Sequence, residues 1–254
     1  MTKIAVAGAT GRIGRPIVEV LEADGHEVVP IARSLGVDVI TGEGLAEALD
    51  AVEVIVDAAT GPSPDEQQAT DFFTTSARNL LEAGAGARKV VMVSIIGIDR
   101  VSSGYQAAKV AQEEAYRNGP IPVRIVRVSQ FHEFIGVMMG WARQGDVSYL
   151  PEMLTQPVLA AAAAEQVAEI AVSDDEGPEI VEVAGPREER AAELAKLLAG
   201  RGDDGLRVEE VNDPSPDGAR IAAGAMLPGP DAALVGPTFE EWLQNAHVRD
   251  MTAS

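Results

Sequence analysis

The chain has 254 residues, 46% hydrophobic and 24% charged, with a net charge of −20 and no cysteine. Such acidity excludes a nucleic-acid binder or a partner of anionic membranes, because phosphates repel it and no basic stripe interrupts it. The missing thiols exclude disulfides, thiolate nucleophiles, iron–sulfur clusters and thiolate zinc sites.

In chain order, the first half alternates β-rich runs with helix-periodic segments, the pattern of βαβ units around a parallel sheet. Strands are predicted at Lys3–Ala7, Glu27–Ala32, Val37–Ile40, Glu53–Asp57, Lys89–Ser94 and Val123–Val128, several of them continuously apolar, as doubly covered strands are. Helices are predicted near Arg12–Ala23, Leu45–Leu49, Glu66–Ala83, Ser103–Asn118 and Phe131–Arg143. From Asp146 the pattern loosens. Strands are expected at Val147–Leu150, Glu179–Val183 and Arg207–Val211, and helices at Ala163–Val172, Glu188–Leu198 and Phe239–Ala246. Pro and Gly between Asp213 and Pro237 predict loops. The longest apolar run, Val158–Ala164, falls far short of the about 18 residues of a membrane span. With Met1 leading straight into a strand and no leader pattern, a cytoplasmic chain is expected. The fold expected is α/β: a doubly wound parallel sheet of the Rossmann type over residues 1–145. A small α+β substrate lobe over 146–254 is expected to close on the carboxyl edge of the sheet, where such sheets bind ligands.

The most informative segment is KIAVAGATGRIG, residues 3–14, where a strand runs into Gly8, Gly11 and Gly14 and then a helix. Gly8 allows a tight turn, Gly11 the approach of a diphosphate, and Gly14 close packing of the helix. Gly8, Thr10, Gly11, Arg12 and Ile13 are therefore candidate dinucleotide contacts at a helix N-terminus. NAD enzymes place an acidic residue about 20 positions downstream, at the end of the second strand. Here Arg33 stands there, followed by Ser34, and the nearest carboxylate, Asp38, lies beyond. A guanidinium suits a 2′-phosphate, so NADP is the expected cofactor, with NAD possible; a solvated surface arginine is the alternative.

Further on, Ser94 closes a strand, and Tyr105 and Lys109 follow in SSGYQAAKVAQEE. At i and i+4 the two share a helix face, so the ammonium is expected to pull the phenol down from its reference value of about 10. Such a tyrosine can protonate a carbonyl oxygen as hydride reaches its carbon, with Lys109 also on the nicotinamide ribose and Ser94 polarising the substrate oxygen. The alternative is a surface pair on an amphipathic helix.

Together with VSIIGIDR and SQFHEF, these motifs resemble the NmrA-like branch of the atypical short-chain dehydrogenase/reductases, well over residues 3–145 and loosely to FEEWL. The resemblance implies a Rossmann core that binds NAD(P) with a small substrate lobe, and a Tyr–Lys pair at Tyr105 and Lys109. It also implies a wall beside the cofactor ribose at Ala58, Ala59 and Thr60, and a loop passing the nicotinamide at Gln130 and Phe131. The chain departs from the family pattern at Arg127-Val128, where Arg-Pro is usual, and in a serine only eleven positions before Tyr105.

His132, Phe134 and Met138 complete the candidate substrate pocket, His132 and Glu133 as acid–base candidates with polar surface as the alternative, and Met139 and Trp141 nearby with core packing as the alternative for the apolar ones. No metal site is expected, since His26, His132 and His247 lack ligand spacing. The leading expectation is an NAD(P)H-dependent reductase acting on a quinone or carbonyl of a small aromatic molecule. Two alternatives stand beside it. One is the quinone-reducing component of a flavin- and metal-free monooxygenase in aromatic polyketide biosynthesis, working with a partner protein. The other is a non-catalytic NADP redox sensor.

Overall fold

In β1 (Lys3–Ala7) every residue after Lys3 is buried, as a strand flanked on both faces requires. The computed structural model, which describes residues 1–101, 103–175, 177–202 and 205–245, continues from β1 through α1 (Gly14–Ala23), β2 (Glu27–Ile31), α2 (Leu45–Ala48) and β3 (Val54–Asp57). Next come α3 (Glu66–Ala83), β4 (Lys89–Ile95), α4 (Gly104–Arg117) and β5 (Val123–Val128). The chain then forms α5 (Phe134–Trp141), β6 (Arg143–Gln144), β7 (Val147–Pro151), β8 (Leu154–Thr155), α6 (Ala160–Val172), β9 (Ile180–Ala184) and β10 (Glu189–Arg190). The last described elements are α7 (Ala191–Ala199), β11 (Arg207–Val211), α8 (Pro216–Ala222), β12 (Ala233–Leu234) and α9 (Phe239–Asn245). Ala246, the end of the last predicted helix, lies outside the described residues.

The main sheet has seven parallel strands in the order β12–β9–β5–β4–β3–β1–β2. The chain leaves β1 to one side for β2 and crosses to the other for β3, so Ala7 faces both Ile31 and Asp57. Strand order reverses beside β1, and the carboxyl ends of β1 and β3 are therefore where a doubly wound sheet offers room for a ligand.

Two sequence expectations fail here for local reasons. The expected strand Val37–Ile40 is a turn. Asp38 Oδ1 accepts from the Ile40 and Thr41 amides (2.7 and 3.4 Å), and Asn79 Nδ2 donates to the carbonyls of Val39 and Ile40 (2.8 and 2.9 Å). Side chains thus satisfy the backbone that a ladder would have used, and the apolar composition reflects Val39 packing into the core. In the expected loop region Asp213–Pro237, Ser215 accepts from the Gly218 amide (2.9 Å) and Pro216 begins α8. Those are helix-start signals, which the density of Pro and Gly masked.

Packing groups residues Met1–Arg127 and Ala163–Val181 into one unit, and Val128–Ala162 and Glu182–Ser254 into another, an interleaved division unlike a single cut after residue 145. The first unit's core includes Ile31, Ile55, Leu80, Val90, Met92, Tyr116 and Ile125. The second packs Ile135, Met139, Leu150, Leu194, Phe239, Trp242 and Leu243 together beside the small sheet β11–β7–β6.

Candidate functional site

The glycine turn is built by close backbone approach. Gly8 has φ +77°, and a Cβ there would stand 2.6 Å from the Ala58 carbonyl oxygen. A Cβ on Gly14 would stand 2.1 Å from the Gly8 carbonyl oxygen, whereas on Gly11 it would meet only that same oxygen, at 3.1 Å. Two glycines therefore let the protein pack against itself, and exposed Gly11 leaves an open face to a ligand. Helix α1 starts at Gly14 without a side-chain cap and with no acidic residue in its first turn. The Thr10 and Ile13 amides have no acceptor among the described residues. An uncapped helix start beside a bare glycine turn fits a diphosphate, which supplies both acceptor and negative charge. We expect Gly14→Ala to cost about 3 kcal/mol of folding stability, read as a lower urea midpoint at unchanged slope; an unaltered midpoint would refute this packing.

Arg33 is exposed in the short 3₁₀ turn Arg33–Leu35 that follows β2, and its guanidinium makes no hydrogen bond or ion pair among the described residues. Ala58 and Ala59 leave β3 against the Gly8 turn, with the Ala58 amide donating to the Ala7 carbonyl at 3.0 Å.

Tyr105 meets this wall directly: its hydroxyl lies 2.8 Å from Thr60 Oγ1. The Gly104 amide donates to Glu66 Oε2 at 2.6 Å, pinning the start of α4 to α3, and the Tyr105 ring packs edge-on against Phe73 at 5.5 Å. The expected tuning by Lys109 is not what the structure holds. Burial pushes the phenol above its ordinary value, the Thr60 bond opposes this, and the Asp57 charge adds to it. Lys109 instead donates to the Val93 carbonyl (2.8 Å) and Gln112 Oε1 (2.5 Å), with Nζ 4.6 Å from the Phe73 ring centre. Burial lowers its pKa to about 8, against the raising effect of Asp57 and Glu113.

Ser94 is corrected as well. Its buried hydroxyl donates to Glu113 Oε1 at 2.7 Å, inside a cluster where Arg127 grips Glu113 through Nε (2.9 Å) and Nη2 (2.8 Å) and reaches Asp99 through Nη1 (2.8 Å). That engagement ties Ser94 to an interior ion pair, not to a substrate oxygen.

The remaining pocket candidates belong to the second unit. Gln130 and Phe131 pair with Val158, the Val158 amide donating to the Gln130 carbonyl at 2.9 Å. His132 is fully buried between Phe239 and Trp242, with Nε2 3.1 Å from the Pro237 carbonyl oxygen. Burial lowers its pKa to about 4, with the Pro237 bond opposing, so it is a neutral core histidine and not an acid–base group. Met138 packs against the same core, while Phe134 lies edge-on to exposed Trp141 at 5.4 Å.

Residues the sequence reading missed are Asp57, Gln112, Glu113, Tyr116 and Arg127. Their signals were a carboxylate ending the apolar strand VEVIVD, and Gln112, Glu113 and Tyr116 at i+3, i+4 and i+7 from Lys109, all on one helical face. No group of three or more His, Asp or Glu side chains suited to a metal occurs among the described residues, and no described helix is long and apolar enough to cross a membrane.

Residues 8–169 match the family model described as NAD(P)H-binding. The chain is 39% identical over 72 residues to an L-arabinose 1-dehydrogenase (NAD(P)(+)) of Haloferax volcanii, covering 26% of this chain and 28% of that one. It is 33% identical over 141 residues to a ceramide reductase of Caulobacter vibrioides, covering 49% and 44%. It thus spans less than half the length of these curated relatives. Among solved structures, the Citrobacter sp. triphenylmethane reductase complexed with NADP(H) is similar with a TM-score of 0.71 at 17% identity, covering 96% of this chain and 100% of that one.

Proposed function

Because the chain belongs to the NAD(P)H-binding family, we propose that it is a reductase moving hydride from NADPH to a quinone or carbonyl carbon of a small aromatic molecule. The observation that carries this is the 2.8 Å contact between Tyr105 and Thr60, which brings the expected proton donor to the expected ribose wall. When bound, the nicotinamide supplies the hydride. The protein's part is to hold the diphosphate at the Thr10 and Ile13 amides and a 2′-phosphate at Arg33, and to keep a proton on the Tyr105 oxygen. A phenol held above its ordinary value stays protonated throughout neutral pH, which suits an acid working in the direction of reduction. The triphenylmethane reductase that shares this fold is named for an aromatic substrate, which makes aromatic compounds the class to try first.

The test is NADPH consumption with a panel of quinones and aromatic carbonyl compounds. Turnover on at least one of them is expected, and tight NADPH binding with no turnover on any would defeat the reading. That outcome would favour a redox sensor. For cofactor choice, Arg33→Ala removes a charge-assisted hydrogen-bond donor of about 1.5–3 kcal/mol. It is expected to raise the NADPH dissociation constant about 10- to 100-fold and to leave NADH binding unchanged, by fluorescence titration. Equal effects on the two nucleotides would overturn the NADP assignment.

A further inference from the structure

We infer that Gln112 and Asp57 are positioning residues for Lys109, forming a buried relay in which the Gln112 amide couples the lysine ammonium to the carboxylate that anchors the Ala58–Thr60 wall. This deepens the reductase reading and rests on it for the role it gives Lys109.

Gln112 Oε1 accepts from Lys109 Nζ at 2.5 Å, and Gln112 Nε2 donates to Asp57 Oδ2 at 2.9 Å. Chemistry fixes the amide's orientation: an ammonium only donates and a carboxylate only accepts, so each must meet opposite ends of the group. Asp57 Oδ2 also accepts from the Tyr116 hydroxyl at 2.7 Å, and Oδ1 from the Ala59 amide at 3.0 Å. A single side chain therefore ties the lysine's partner to the loop that carries Thr60, and Thr60 in turn touches Tyr105.

Burial makes these polar identities informative. Asp57, Gln112 and Tyr116 are at most 1% exposed and Lys109 is 5% exposed. An apolar set of the same volume would pack there without the desolvation cost of charges, so the polar set is better explained by placement of the ammonium than by stability. The groups facing Lys109 are Asp57 from β3, the Val93 carbonyl from β4, the Phe73 ring from α3, and Gln112 and Glu113 from its own helix. Asp57 and Glu113 both favour the ammonium, Asp57 the more, and Glu113 is also gripped by Arg127, which leaves Asp57, acting through Gln112, as the main counter-charge for the lysine. The sign follows. Asp57 favours the ammonium, so removing its charge lets burial lower the midpoint further, and the ammonium is then lost at a lower pH.

Lysine labelled with ¹³C at Cε gives the protein four signals, from Lys3, Lys89, Lys109 and Lys196, with that of Lys109 assigned by its loss in Lys109→Arg. In the wild type the Lys109 signal is expected to titrate near 8. Asp57→Asn and Gln112→Leu are each expected to lower that midpoint by about one pH unit, and Tyr116→Phe, which removes a bond to Asp57 without breaking the link to the lysine, to leave it in place. The alkaline limb of kcat/KM should move with the NMR midpoint. Midpoints unchanged in both Asp57→Asn and Gln112→Leu, or moved equally by Tyr116→Phe, would overturn the relay. Because the lysine signal needs no turnover, the two readings fail separately. Full turnover in Tyr105→Phe with shifted midpoints sinks the reductase chemistry alone, and loss of turnover with fixed midpoints sinks the relay alone.

Discussion

Tyr105→Phe is expected to lower kcat by about 10²- to 10⁴-fold, the usual contribution of a positioned general acid, while leaving the dissociation constant for NADPH unchanged. The substitution removes one oxygen. The ring keeps its edge contact with Phe73, and the start of α4 keeps its anchor at Glu66. Thr60 is exposed and can bond to water, so no buried donor or acceptor is orphaned and the variant should fold as the parent does. A fall in kcat at constant nucleotide affinity isolates an interaction made in the transition state. The measurement is NADPH oxidation under single-turnover conditions with the best quinone of the panel. A rate within threefold of the parent would remove Tyr105 from the chemistry and with it the reading of the Thr60 contact. Thr60→Val is a milder companion. The Thr60 bond opposes the upward shift of the phenol, so its loss should raise the phenol further and make it a weaker acid.

How much of this was legible in the sequence depended on whether the cause was local. The glycine turn could be read because its constraints act over a few residues, and the structure adds only what presses on Gly8, namely Ala58 arriving from β3. Strands such as β1, β5 and β11 follow from β-rich runs whose backbone groups meet those of a neighbouring strand. Val37–Ile40 looked the same by composition, and its outcome was decided by Asn79, some forty residues away. The Tyr105–Lys109 spacing correctly placed the two on one helix, but spacing says nothing of which partner wins the ammonium. Gln112 and the Val93 carbonyl won it. His132 was misread for the related reason that its cage, Phe239 and Trp242, lies over a hundred residues downstream.

The largest expected loss of stability comes from the buried ion pair behind the site. Glu113 is 1% exposed and satisfies the Ser94 hydroxyl and two Arg127 nitrogens, with an Arg117 nitrogen 3.3 Å away. Glu113→Leu leaves Arg127 Nε and Nη2 and the Ser94 hydroxyl without their acceptor, with Asp99 alone still meeting the guanidinium. Breaking one side of such a pair costs about 3–5 kcal/mol. Arg127→Met should cost a similar amount by stranding the carboxylate. The double variant removes both charges together, so its loss should be well below the sum of the two and smaller than either alone, as replacement of buried pairs by apolar residues commonly shows. Urea unfolding of the four proteins measures the coupling, and additive losses would mean that the pair is not the unit of stabilisation. The consequence reaches the site through Asp99, which Arg127 holds at 2.8 Å in the Ile98–Arg100 turn leading into α4. In the double variant that tether is gone even where stability returns. Turnover should therefore stay low while the unfolding midpoint recovers, which separates the pair's support of the fold from its support of the helix that presents Tyr105.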